Sequence, residues 1–226
     1  MRRRTAPLRL VIFDCDGVIV DSEALSNGVL ARDITARGWP ISTEQAQHLF
    51  LGRSLQAIHA TIEEHLAVPL PADWDSLIVE RIVADMERFA VAIPGGIEAL
   101  HEVSALGIPW RIASNSSHDE MRAKFGRLEI VALVHGRIHS QQDVVHPKPA
   151  PDLFLHAAAA EGVTPAQCLV IEDSVAGATA ARDAGMDCLG FARFDDGAVL
   201  REVGAVPFHD MTELPGLVAL ALEPAR

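Results

Sequence analysis

Asp14, Cys15, Asp16 and Gly17 directly follow an apolar run, Leu8–Phe13. In a parallel sheet, ligands bind at the carboxyl ends of strands. Two carboxylates one residue apart just past such an end can both reach that crevice if the backbone curls, and Gly17 permits the curl. The same residue types also build ordinary surface turns. A second acidic pair, Glu172-Asp173, ends the apolar run Cys168–Ile171. Asp173 or Ser174 could cap the helix that follows, but capping does not account for two acids. Carboxylates converging there would repel each other by about 4 kcal/mol per pair at ~4 Å and an effective dielectric near ~20. A divalent cation removes the repulsion, and an all-oxygen donor set suits Mg²⁺.

Two further features fit a phosphate. Ser114-Asn115 follows the run Trp110–Ala113 and precedes a helix start at Ser117. Side-chain donors and backbone N–H groups there suit an anion. Lys148 stands between Pro147 and Pro149, which stiffen its backbone. Alone it would read as an exposed loop lysine; beside carboxylates and a phosphate it supplies the balancing cation.

The elements that must position these residues alternate. The β-leaning runs Leu8–Phe13, Trp110–Ala113, Cys168–Ile171, Cys188–Phe191 and Val206–Phe208 are interleaved with helical patterns over 96–106, 117–126, 150–161 and 174–184. This order predicts an α/β fold with a Rossmann-like parallel sheet. Ser117 with Glu120, and Ser42 with Gln45, read as capping boxes. Between residues 22 and 90 the strand signal stops. Leu55, Ile58, Ile62 and Leu66 share one helical face, and so do Trp74, Ile78, Ile82, Met86 and Phe89. An all-helical cap is therefore expected at 21–91, inserted into a catalytic core made of 1–20 and 92–226, with joints near 17–21 and 92–96.

Together, Asp14-Cys15-Asp16-Gly17-Val18, Ser114-Asn115, Lys148-Pro149-Ala150-Pro151-Asp152 and Glu172-Asp173-Ser174-Val175-Ala176-Gly177 resemble, in order, the haloacid dehalogenase (HAD) superfamily. The similarity spans nearly the whole chain and is nearest to the branch with a helical cap after the first motif, which holds β-phosphoglucomutase-like and phosphoglycolate-phosphatase-like proteins. The resemblance implies a phosphoric monoester hydrolase acting on small phosphorylated metabolites, sugar or polyol phosphates. It implies Asp14 as nucleophile and Asp16 as general acid, then base. Ser114 and Asn115 would bind the phosphoryl group, and Lys148 would neutralise charge. Asp14, the Asp16 main-chain oxygen and Asp173 would hold Mg²⁺, with Glu172 bound directly or one step behind. In this branch the cap loop around Leu51-Gly52-Arg53-Ser54 selects substrate. Gly52 and Arg53 are thus candidate contacts, although Arg53 reads equally as an exposed arginine.

Rivals within the resemblance are weaker. Haloacid dehalogenases lack the second aspartate, which is present here as Asp16. A phosphonate hydrolase needs a cap lysine, and residues 22–90 contain none. A phosphosugar mutase carries a cap-loop arginine and a histidine on the first cap helix; in register, Leu55 and Ser26 stand there. A binding module without catalysis would have lost Asp14, Asp16 or Lys148.

Composition bounds the rest. The chain has 226 residues, 49% hydrophobic, with net charge −12, so a nucleic-acid partner is not expected. No apolar stretch is long enough for a membrane span. Cys15, Cys168 and Cys188 form neither a disulfide framework nor a zinc pattern. Arg2, Arg3 and Arg4 read as a solvated tip, without a signal-peptide cleavage pattern after them. A cytoplasmic monomer is the expectation.

Overall fold

A computed structural model describes residues 6–50 and 53–223. The Arg2–Arg4 tip and the candidate contact Gly52, with Leu51, lie outside the described residues. The elements run β1 (Leu10–Phe13), β2 (Val20–Asp21), α1 (Glu23–Ala36), α2 (Thr43–Phe50), α3 (Leu55–Leu66), α4 (Trp74–Phe89), β3 (Val91–Ala92), α5 (Gly96–Ala105), β4 (Trp110–Ser114), α6 (His118–Arg127) and α7 (Val131–Val134). There follow β5 (Ile138–Ser140), α8 (Asp152–Ala160), β6 (Cys168–Glu172), α9 (Val175–Asp183), β7 (Asp187–Phe191), α10 (Ala198–Glu202), β8 (Val206–Phe208) and α11 (Leu214–Leu222).

Among the described residues, six strands form one sheet in the order β5-β4-β1-β6-β7-β8. Every pairing in it is parallel. This is the α/β, Rossmann-like arrangement expected from the alternation. Leu10 and Ile12 pack with α8 and α9, whereas Val11 and Phe13 pack with α5, α6 and α11. Both faces of β1 are covered, which is why its sequence is a continuous apolar run rather than an alternating one. The chain leaves β1 toward β4 on one side and returns to β6 on the other. That reversal makes the carboxyl end of β1 the crevice where ligands bind in such sheets.

The helices between β1 and β4 have their own apolar cluster, with Ile34, Phe50, Ile62, Trp74 and Ile78 among its members. Ala123 of α6 joins that cluster, so the helical block leans on the sheet's helical layer. Asp33 of α1 accepts hydrogen bonds from Trp74 Nε1 and Arg81 Nη1, each at 2.7 Å, and from Arg37 Nε at 2.6 Å, binding α1 to α4. The buried stripe of α4 ends at Met86; Phe89, the helix's last residue, is exposed. The two chain crossings into and out of this block pair as an antiparallel ribbon, Val20 with Ala92 and Asp21 with Val91. No helix among the described residues is long and apolar enough to cross a membrane.

Two elements differ from the sequence expectation. β5 is a three-residue edge strand, too short to leave an apolar run. The β2–β3 ribbon has two residues per strand and gains its pairing only from tertiary proximity. The Ser117–Glu120 capping box forms as read, and Ser42 and Gln45 exchange reciprocal bonds.

Candidate active site

Three strand ends bring the sequence-marked residues together. Asp14 follows β1, its N–H donating to Ile171 O at 2.8 Å. Ser114 ends β4 and Glu172 ends β6. Lys148 enters from the loop between β5 and α8. Its Nζ donates to Asp14 Oδ1 and Glu172 Oε1, both at 2.6 Å, and to Ala113 O at 2.8 Å. The ammonium also lies 4.5 Å from the centre of the Phe154 ring. Lys148 is buried, so one fixed cation is held between two carboxylates where water screens little.

Asn115 has a task not read from sequence. Its Nδ2 donates to Lys148 O, and Lys148 N–H donates to its Oδ1, each at 3.0 Å. Both ends of the amide hold the Lys148 backbone. Glu172 is equally engaged: Oε1 accepts from Lys148, and Oε2 accepts from the N–H groups of Asp173 and Ser174 and from Ser174 Oγ. It therefore orients Lys148 and the start of α9 rather than presenting a bare oxygen.

Asp14, Glu172 and Asp173 each offer an oxygen within 4.8 Å of the others. Gly17, at φ +76°, makes this approach possible, since a Cβ there would lie 1.8 Å from Asp173 Oδ2. Gly177 does the same for Glu172, where a Cβ would lie 1.8 Å from Oε1. Burial, with Glu172 and Asp16 nearby, pushes Asp14 up to about 7 despite the pull of Lys148. Burial and the charges of Glu172 and Asp14 push Asp173 well above the usual carboxylate range. An all-oxygen donor set under this repulsion fits a hard divalent cation, to which Asp14 and Asp173 offer side-chain oxygens.

Asp16 faces a separate set of donors. Its Oδ1 accepts from Ser22 Oγ and Lys124 Nζ; its Oδ2 accepts from Ser114 Oγ at 3.0 Å and Ser116 Oγ at 2.7 Å. Burial would raise this acid, but Lys124 and the bonds from Lys124, Ser22 and Ser116 bring it down to about 2. Ser22, Ser116 and Lys124 were missed by the sequence reading. One signal was available: Met121, Lys124 and Phe125 share the buried face of α6, and a lysine on an apolar stripe demands a partner.

Arg53 is not brought to this cluster. It is exposed just before α3, and its Nη1 donates to Thr61 Oγ1 of that helix at 3.0 Å. Cys15, Cys168 and Cys188 are buried and form no disulfide. A second group, His139, Asp143 and His156, also has ligand atoms within 4.8 Å. Arg111 donates to His139 Nε2 at 3.1 Å, and His118 bonds Asp143 at 2.8 Å, so two of the three side chains are already partnered.

The model of the haloacid dehalogenase-like hydrolases matches residues 8–185. The 6-phosphogluconate phosphatase of Escherichia coli (strain K12) is 28% identical over 93% of this chain and 94% of its own length. Hexitol phosphatase A of the same organism is 30% identical over 90% of this chain and 91% of its own. A solved hydrolase of the same family from Deinococcus radiodurans R1, with bound phosphate and sodium, is 30% identical with a TM-score of 0.80, covering 96% of this chain and 97% of that one.

Proposed function

The chain belongs to the haloacid dehalogenase-like hydrolase family, and on that premise we propose that it hydrolyses small sugar or polyol phosphates through an aspartyl phosphate on Asp14. It is an enzyme of the phosphoric monoester hydrolase type, and its full-length relatives above act on small phosphorylated metabolites by their names. The observation that carries the mechanism is Lys148, whose one buried ammonium joins Asp14 to Glu172 beside Asp173.

In the first step an Asp14 carboxylate oxygen attacks phosphorus. The Asp14–phosphorus bond forms as the phosphorus–ester oxygen bond breaks, and the leaving oxygen takes a proton from Asp16; because Lys124, Ser22 and Ser116 hold the free acid down to about 2, that proton is one the bound phosphate monoester carries in and hands to Asp16. In the second, water attacks phosphorus and gives its proton to Asp16. The Asp14–phosphorus bond then breaks, and inorganic phosphate leaves. Dividing hydrolysis this way makes each displacement easier. The Ser114 hydroxyl binds a phosphoryl oxygen, and Lys148 offsets charge on Asp14 and the phosphoryl group. Asn115 and Glu172 hold Lys148 in place. Phosphoryl transfer is catalysed chiefly by such positioning and charge neutralisation. Asp14, Asp173 and the Asp16 main-chain oxygen would hold Mg²⁺, which supplies further charge neutralisation at the phosphoryl oxygens.

Residues 21–91 are assigned the part of a cap that closes over substrate, with the core at 1–20 and 92–226 and the β2–β3 ribbon as its joint. Closure excludes bulk water and limits substrates to small molecules. Leu55 and Ser26 stand where a phosphosugar mutase has its arginine and histidine, which favours water as the second acceptor. Phosphate release across a panel of small phosphate esters with Mg²⁺ tests both points. Steady release from hexose or polyol phosphates is expected, with none from an intact phosphoprotein. β-Glucose 1-phosphate with a trace of the bisphosphate is expected to give no glucose 6-phosphate. Rapid isomerisation with little free phosphate would establish the mutase instead.

A further inference from the structure

The α6 lysine is the one cation in the Asp16 donor set, and its geometry separates the two oxygens of that carboxylate. Lys124 is fully buried, at 0% exposure. A buried ammonium is costly unless it is paired and hydrogen-bonded. Its Nζ donates to Asp16 Oδ1 and, at 2.7 Å, to Ser116 Oγ. The hydroxyls form a consistent chain. Ser116 Oγ accepts from Lys124 and donates to Asp16 Oδ2; Ser114 Oγ accepts from Ser116 N–H at 3.0 Å and donates to the same Oδ2. Each hydroxyl has a single proton to give. Phosphoryl oxygens that claim the Ser114 hydroxyl therefore take it from Asp16 Oδ2. The bonds to Oδ1, from Lys124 and Ser22, are untouched by that exchange.

We propose that Lys124 is a positioning residue for Asp16, anchoring Oδ1 so that Oδ2, which phosphoryl binding at Ser114 leaves with the Ser116 hydroxyl as its one donor, is the oxygen that exchanges protons with the leaving oxygen and with water. The inference rests on the reading of Asp16 as the acid–base group. Lys124 acts only through Asp16, so its loss cannot cost more than the loss of Asp16 itself, roughly 10²–10⁴-fold for a positioned acid–base group.

A double-mutant cycle on the full chain decides this, read as kcat and KM for a hexitol phosphate with Mg²⁺, alongside melting curves. Lys124→Met is expected to lower kcat by about tenfold or more with KM within about twofold, the pattern of an interaction made in the transition state. In an Asp16→Asn background, Lys124→Met is expected to cause no further loss, because the group it serves is gone. A residue that merely supports the fold would lower both backgrounds alike, and additive losses overturn the proposal. Wild-type kcat in Lys124→Met overturns it as well. Full activity in Asp16→Asn instead removes the acid–base reading itself, a distinct outcome. Lys124→Gln, which keeps a donor without the charge, runs the same cycle under the same criteria if Lys124→Met does not fold.

Discussion

Asp14→Asn is expected to fold as the wild type does and to lose phosphate release by on the order of 10³–10⁶-fold, the range seen when a covalent nucleophile is removed. The substitution keeps the shape of the side chain and an oxygen at Oδ1 for Lys148 Nζ to bond. Lys148 also keeps Glu172 at 2.6 Å, so the buried ammonium still has an anionic partner. Removing one of three clustered carboxylates relieves repulsion that burial makes severe. The melting temperature should therefore move by no more than about 2–4 °C, the shift that ~1 kcal/mol produces in a chain of this size. An amide, however, cannot displace an ester oxygen from phosphorus. A well-folded Asp14→Asn with wild-type turnover would falsify the mechanism, whereas loss of activity together with loss of folding would call for Asp14→Glu as the companion variant.

Metal removal is expected to have a comparable effect. Dialysis against EDTA should abolish turnover, Mg²⁺ should restore it, and Ca²⁺ should inhibit because its larger, looser coordination shell misplaces nucleophile and phosphate. The expectation rests on the crowding of Asp14, Glu172 and Asp173. Lys148 is a single positive charge already shared by Asp14 and Glu172, and among the described residues no salt bridge reaches Asp173. Adding a dianionic phosphate ester to that site without further positive charge would be strongly unfavourable. Isothermal titration of Mg²⁺ into the stripped protein, with Asp173→Asn as comparison, measures binding apart from catalysis. Full activity in protein verified as metal-free would overturn the assignment.

The residues proposed to be catalytic could be picked out because each is tied to a local feature. Asp14, Ser114 and Glu172 sit one step from apolar runs that can only be central strands, and Gly17 marks the curl beside them. Lys148 lies between prolines in a loop whose sequence has no helical or strand period. The tasks of Asn115 and Glu172 were less legible. Their side chains are committed to a backbone and an ammonium that arrive from far along the chain. Nothing in the spacing of Arg53 foretold that its guanidinium would turn to Thr61 on the helix that follows it.

By itself the sequence determined the alternation of strands and helices, the place of the helical insertion, and which carboxylates end strands. These follow from periodicity and from turn and cap chemistry, which act over a few residues. Only the tertiary structure decided which partners those carboxylates meet. Lys124 lies 108 residues from Asp16, and Lys148 lies 134 from Asp14, yet both pairs are in contact. Such contacts exist because β1 is flanked by β4 and β6, an order set by packing the whole sheet between its helices. Burial raises both acids, and the partners decide the outcome: Asp14, with Glu172 and Asp16 nearby, goes up to about 7 despite Lys148, whereas Lys124 and the bonds from Lys124, Ser22 and Ser116 bring Asp16 down to about 2, although both are aspartates two residues apart.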